Sequence, residues 1–477
     1  MLDDRENTPE MPMFRDPDLP QSFLPLRSRE VVTLKQVIPG ALLALSWCVA
    51  VPAFAAPEQP EPVPTSGQTA PASEADLDKG TLSRDYTPYD EWTEGEAPTS
   101  TTKELDDIYQ PKDPTLDVPF LDGPLDRFLA ATASLEQSTG LRLGFAYTTI
   151  FQQASGGSGY RRGASGDLDI MGAWTLIGRG TPNTGQLIFS FEERHKFGPE
   201  PASNLRSVLG TLHPPTNGFN DRGEVVRDLY WIQRLLDGKL GFAIGRGDTS
   251  DFFGAHRMQS LNNSFSNRSL SANTVIPSPG HGMFAGFSVR PIDELYATVG
   301  IANAYGSTTI NDMPYLDENS FFSFGEFGYT PTIEGLGPGG YRVVLWHIDS
   351  RDIRNVSPSD HGISLIADQR IGERFQLFAR YGYADDGRVT GIRQSGEVGM
   401  GVRGLLGSDD NMTGVAFAYS EARAAGARDE KILECFHRWQ ITRHTQFSIG
   451  VQGIFDPSND PDTDAVAVFT TRLRIAF

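Results

Sequence analysis

The chain ends on Phe469, Thr471, Leu473, Ile475 and Phe477 at one parity, with Arg472 and Arg474 at the other. Successive side chains of a β-strand point to opposite faces, so this segment has one apolar face and one cationic face. Lipid on one side of a strand and water on the other asks for that pattern. Only a closed barrel lets strands span a bilayer, because an open sheet edge would leave backbone groups unpaired in hydrocarbon. The expected fold is therefore all-β, a transmembrane antiparallel β-barrel.

The amino-terminal region agrees with export. Lys35 precedes an apolar run from Val37 to Val51, and Ala53-Phe54-Ala55 follows as a small-residue cleavage site, with Ala56 the expected first mature residue. The run is shorter than the roughly 20 apolar residues of a spanning helix. Pro39 and Gly40 interrupt its start, which argues against an uncleaved anchor. What precedes Lys35 is long and acidic for a leader, consistent with a start downstream of Met1, at Met11, Met13 or beyond. Trp47 beside Cys48 is too large for a lipoprotein signal. Loss of the leader removes Cys48 and leaves Cys435 without an intramolecular partner.

Mean hydropathy is negative, too polar for a helical membrane protein but compatible with a barrel, in which only alternate residues meet lipid. The formal net charge is -20, and by direct count about thirteen of the excess negative charges lie between Ala56 and Glu136. That balance opposes nucleic-acid binding. Four regions follow: 1–55, an over-long amino terminus with a signal peptide; 56–120, an acidic, Pro-rich segment expected to be disordered; 121–140, a short amphipathic helix; and 141–477, the barrel. In the helix, Leu125, Phe128, Leu129, Thr132 and Leu135 recur at helical spacing. Asp122 is placed to cap its start and Gly140 to stop its end. It is expected at the periplasmic mouth or inside the lumen. At about ten residues per strand plus turns and loops, residues 141–477 hold 16 strands, enough to enclose an aqueous channel.

Parity sorts the wall. Leu187, Phe189 and Phe191 oppose Gln186, Ser190, Glu192 and Arg194; Phe375, Leu377, Ala379, Tyr381 and Tyr383 oppose Gln376, Phe378 and Arg380. Val398, Met400 and Val402 oppose Glu397 and Arg403; Cys435, Trp439 and Ile441 oppose Glu434, Arg438 and Gln440; Phe447, Ile449 and Val451 oppose Ser448 and Gln452. A charge on the lipid face costs about 2–4 kcal/mol near the midplane, so the charged sets face the lumen. With Arg342, Arg472 and Arg474, these residues form the expected pore lining. Trp231 is equally suited to an interfacial girdle and to the pore. Arg246 and Asp248 share parity with outward Leu240, Phe242 and Ile244, so they lie past the embedded part of their strand or follow a bulge.

Several stretches resemble the carbohydrate-selective porins of the OprB type, over about residues 140–477. They include the segments Asp167–Trp174, Phe191–His195, Leu229–Gln233, Asp237–Leu240 and Ile244–Asp248. Further along come Gly340–His347, Phe378–Gly382 and Glu434–Gln440. The resemblance implies a 16-stranded outer-membrane channel for passive, selective diffusion of carbohydrates into the periplasm, with charged residues and aromatics at a constriction. The acidic segment before Pro124 and the wording Cys435-Phe436-His437 depart from the family pattern and leave the substrate open. Lumenal Arg and Glu, with Gln376, Gln440 and Gln452, offer hydrogen bonds to sugar hydroxyls, and Trp346 and Phe378 have lumenal parity for stacking on sugar C–H faces. Terminal Phe477 resembles the assembly signal of outer-membrane barrels. The barrel-assembly machinery, outer-membrane lipid and lipopolysaccharide are thus expected partners, with one barrel or a homotrimer both open. No cofactor is expected.

Alternatives remain. Lumenal arginines outnumber glutamates, which suits a general or anion-preferring porin. A barrel enzyme would need Ser and His at lipid-facing parity on adjacent strands; His437 qualifies but Ser448 does not, and no nucleophile-elbow sequence appears. A structural or adhesive barrel would show repeats, which are absent from the sequence. The segment Asp456–Asp464 lacks the Gly of a calcium loop, and the histidines show no metal-ligand spacing, so no metal site is expected.

Overall fold

The computed structural model describes residues 96–308, 319–353 and 356–477. The signal peptide, its cleavage site and residues 56–95 lie outside the described residues. The wall consists of sixteen strands. The first eight are β1 (Leu141–Ala154), β2 (Arg162–Ile177), β3 (Gly185–Lys196), β4 (Gly223–Leu235), β5 (Leu240–Asp248), β6 (His281–Ile292), β7 (Leu295–Asn303) and β8 (Phe321–Tyr329). The second eight are β9 (Gly337–Ile348), β10 (Asp360–Ile371), β11 (Phe375–Ala384), β12 (Ile392–Arg403), β13 (Met412–Ala422), β14 (Glu430–Gln440), β15 (Thr445–Phe455) and β16 (Ala465–Ala476). Each pairs antiparallel with its chain neighbours, and β16 closes on β1, with Ala476 opposite Ala146 and Val468 opposite Ala154. A two-residue strand, Thr332–Ile333, caps the start of β9.

Closure leaves no open edge, which the bilayer requires. Alternation is regular: in β11, Phe375, Leu377, Tyr381 and Tyr383 are exposed while Gln376, Phe378 and Arg380 are buried. The same holds for β16, where Phe469 and Leu473 face out and Arg472 and Arg474 face in. The connections on the side of the chain's carboxyl end are short, and the longer ones lie at the other end, the arrangement in which short turns are periplasmic.

Two helices precede the wall: α1 (Thr101–Tyr109) and α2 (Pro119–Thr139). The first corrects the sequence reading, since its residues fall in the segment expected to be disordered. Ser100 caps it, its side chain accepting from the Lys103 amide at 3.2 Å, and its apolar side is buried inside the barrel. Composition judged this stretch by its own apolar content, whereas the surface that buries α1 belongs to the wall. The second helix starts on Pro119 after Val118, with no side-chain cap, so Asp122 is not its cap; it lies buried in the first turn. Gly140 ends it in the left-handed region at φ 80°, as that role requires. α2 runs along the periplasmic end of the barrel. Phe128 sets its ring edge-on to Phe145 and Phe477, at 5.4 and 5.3 Å. Asp126 holds His444 at 2.8 Å and Arg443 at 3.0 Å.

Much of the barrel interior is packed rather than open. Residues 249–280, between β5 and β6, fold inward. Met258, Phe265 and Leu270 bury against Phe378, Met412, Ala416 and Phe436, and Phe253, Val275 and Ile276 against Phe322, Phe324, Val344, Trp346 and Ile366. A third apolar cluster joins Leu105 and Ile108 of α1 to Ala146, Met171, Ala173 and Ile188. The acidic connection from Asp456 to Asp464 closes on itself through the Asp456 amide and the Asp464 carbonyl at 2.8 Å, and Lys431 pairs with Asp456 at 2.6 Å.

Candidate functional site

All the residues assigned to the lumen by parity lie on the inner face, but they divide by what covers them. From β9 to β16 most of them hold the inward loop. Glu434 accepts from the Ser266 amide and hydroxyl, at 2.8 and 2.9 Å, and from the Asn267 amide at 3.0 Å. Gln452 bonds Asn267, Ser266 and the Pro215 carbonyl at 3.0, 2.8 and 2.7 Å. Arg438 donates to the Asn263 carbonyl at 3.0 Å, and Arg472 to the carbonyls of Leu261 and Ser264 at 2.5 and 2.7 Å. Arg380 donates to the carbonyls of Gly254 and Ala272 and to Gln259, and pairs with Glu397 at 2.9 Å. These side chains satisfy carbonyls and amides that a loop inside a barrel could not otherwise pair.

Phe378 stacks on His256 at 4.2 Å and 8° between planes, and Trp346 is buried in the cluster under Phe253, Val275 and Ile276. Neither presents a face to water, because the inward loop lies over them. The Met258 amide donates to His256 Nδ1 at 3.2 Å, so the proton sits on Nε2, which donates to Glu397 at 2.9 Å. Burial holds His256 below its ordinary pKa, opposed by Glu397, and the contact is a neutral-imidazole hydrogen bond. Arg342 pairs with Asp368 at 2.7 Å and donates to the Tyr296 hydroxyl at 3.1 Å. That hydroxyl donates in turn to Glu326 at 2.6 Å. Gln440 and Arg403 sit at the periplasmic end, bonding the Thr442 carbonyl at 2.9 Å and Asp410 at 3.1 Å. Gln376 bonds the Leu377 carbonyl at 3.3 Å.

The opposite wall, β2 to β5, is ionic. Asp167, Asp169 and Glu192 bring carboxylate oxygens within 4.8 Å of one another. Arg194 bridges Asp167, at 2.9 Å, and Glu192, which also binds Arg222. Arg227 pairs with Asp251 and, at 3.4 Å, with Asp228. Sequence parity reached Glu192 and Arg194 but missed their partners. The alternate spacing of Asp167 and Asp169 carried that signal, whereas Arg222 lies on a loop, where parity is silent. The inward loop presents Arg268, exposed at the start of the short helix Arg268–Ser271, its amide on the Pro214 carbonyl at 3.2 Å and its charge within electrostatic range of Arg206 and Asp248.

Two ambiguous positions resolve. Trp231 pairs with Leu187 on the outward parity, while Tyr230 and Ile232 are buried inside, so Trp231 belongs to the outer face. Arg246 stays in register with exposed Leu229, yet its guanidinium is withdrawn onto the Val226 carbonyl at 2.9 Å. A register shift between Ser190 and Phe191 distorts β4 there. On its own strand the pairing stays in register, but Gly245, directly before Arg246, sits at φ 148°.

A closed sixteen-strand wall with a loop folded into its lumen is porin architecture, and the family model of the carbohydrate-selective porin, OprB family, matches residues 175–477. The chain belongs to that family. It is an outer-membrane carbohydrate channel of the Gram-negative type. The high-pH structure of Pseudomonas putida OprB is 16% identical, covers 73% of this chain and 97% of its own, and superposes with a TM-score of 0.60, sharing the barrel fold. Its low-pH structure is 14% identical, over 73% and 96%, with a TM-score of 0.46. A triple mutant of Rhodopseudomonas blastica porin is 10% identical, over 71% and 100%, with a TM-score of 0.45. No curated protein matches this chain. In this OprB-type porin, β1, most of β2 and both amino-terminal helices precede the matched residues.

Proposed function

We propose that sugars diffuse passively into the periplasm between the ionic wall of Asp167, Asp169, Glu192 and Arg194 and the inward loop at Arg268. The observation that carries this reading is charge pairing. Arg194 meets Asp167 and Glu192, Arg342 meets Asp368, Arg380 meets Glu397, and Arg474 meets Glu104. A lumen of paired charges has strong local fields and many hydrogen-bonding groups but little net charge, which suits an uncharged polyol. The excess of lumenal arginine that favoured anions is thereby largely cancelled. Exposed Arg206 and Arg268 are the observation that favours the anion-preferring reading.

The same proposal includes lipid and lipopolysaccharide against the outward apolar faces, recognition of Phe477 by the assembly machinery, a unit of one barrel or three, and no enzymatic activity. The test is single-channel conductance of the refolded chain in a planar bilayer with glucose and disaccharides titrated in. Saturable block is expected, with the half-blocking concentration raised about threefold to tenfold by Arg268→Ala, the loss of one solvent-exposed hydrogen bond. Channels that sugars never block, but that prefer chloride to potassium, would replace this reading with the anion porin.

A further inference from the structure

α1 precedes the wall and lies outside the residues the family model matches, yet it sits inside the barrel. Its seat is built into the wall. Gly144 is an inward position of β1, and a Cβ there would meet Leu105 Cδ2 at 2.7 Å and Ile108 Cδ1 at 2.9 Å. Those methyls could yield to a single added carbon, but a side chain the size of Leu would fill the space that Leu105 and Ile108 occupy. Around that seat Leu105 and Ile108 bury against Ala146, Met171, Ala173 and Ile188.

The polar side of α1 is matched as closely. Glu104 pairs with Arg474 of β16 at 2.9 Å and accepts from Asn262 of the inward loop at 2.8 Å. Asp106 pairs with Arg142 of β1 at 2.8 Å. The Thr101 hydroxyl donates to Asp228 at 2.7 Å, Arg227 donates to the Thr99 carbonyl at 3.2 Å, and the Tyr109 hydroxyl to the Leu143 carbonyl at 2.8 Å. The Ala97 amide reaches the Asp251 carbonyl at 2.8 Å. These contacts tie the helix to β1, β4, β16 and the inward loop together. Arg474 and Arg142 find carboxylates on α1 that parity on the wall does not supply.

We propose that α1 is a tethered selectivity element, which narrows the lumen by its bulk and cancels wall arginines with Glu104 and Asp106. On this account the unaided wall is a wider, anion-preferring pore, and the helix converts it into one that favours uncharged solutes. The inference deepens the sugar-channel reading and rests on it for the substrate, but its own readout is ionic. Two variants of the full chain test it, each checked for a folded barrel by its heat-modifiable gel mobility. Gly144→Leu unseats the helix without changing any of its residues, and should raise single-channel conductance about twofold or more while moving the reversal potential in a KCl gradient toward chloride. Glu104→Gln keeps the helix and its shape but leaves Arg474 without its carboxylate, and should move the reversal potential the same way at unchanged conductance. Folded Glu104→Gln channels with the wild-type reversal potential would overturn the proposal, as would a folded Gly144→Leu barrel with wild-type conductance. A wild-type channel that sugars fail to block defeats the sugar reading instead, and leaves the reversal-potential result to decide the role of α1.

Discussion

The wall from β9 to β16 and the wall from β2 to β5 enclose the same lumen and share the same alternation, but they put their inward charges to different uses. On the first, Glu434, Arg380, Arg438 and Arg472 are consumed by the backbone of residues 249–280, and Gln452 by the side chains of Asn267 and Ser266, and all lie out of reach of water. On the second, Arg194, Glu192 and Asp167 bind one another and one loop arginine, Arg222, and Arg194 and Asp169 keep a partly open surface. The difference teaches that an inward position is not yet a wet one. A loop inside a barrel needs its amides and carbonyls paired, and the wall beneath it becomes its anchor. Only the uncovered wall is left to meet a solute.

Breaking an anchor should have the largest effect. Glu434→Ala strands the Ser266 and Asn267 amides in a buried place, at a cost on the order of 3 kcal/mol to the seated loop. Limited proteolysis in liposomes should cut between residues 249 and 280 in the variant and not in wild type, with higher and noisier conductance; equal protection in both would contradict the anchoring role. The second effect is of pH, through residues 197–222. His213 is buried, its Nε2 2.8 Å from the Ser420 hydroxyl and its amide bonded to Glu430 at 3.1 Å. Burial, then the charges of Arg268 and Arg206, depress its pKa to about 3. The folded loop therefore holds it neutral, while the released loop protonates it below about 6.5, so stability present above that pH is lost as pH falls toward 3, by up to about 1.4 kcal/mol per unit. Hydrogen exchange of residues 197–222 should rise on acidification, and His213→Gln should flatten that rise; an identical pH dependence in the variant would exclude His213 as its source. The smallest effect is expected on the uncovered wall. Arg194→Ala leaves Glu192 to Arg222 and Asp167 without a partner, adding one net negative charge where the lumen is open. The reversal potential should move toward potassium and the sugar half-blocking concentration rise by about tenfold, with the barrel still folded.

The legible part of this protein is what alternation can carry. Arg380 opposite Tyr381, or Glu434 beside Cys435, reveals which face is lipid because a misplaced charge is costly there, and the strand count follows from length. The helix of Leu125, Phe128 and Leu129 is legible from its own period, and Gly140 from its stop. Trp346 and Phe378 have lumenal parity for sugar stacking, yet both lie under Phe253, Val275 and His256. α1 is hidden for the same reason, since the surface that makes it a helix belongs to Gly144, Met171 and Ile188, far along the chain. By itself the sequence determined the barrel, its inside and its outside, because a two-sided environment is written into every strand with period two. Which inward groups meet a solute was decided only by the tertiary structure, because the loop and helix that cover some of them are placed by contacts between segments remote in the chain, and no local pattern encodes those.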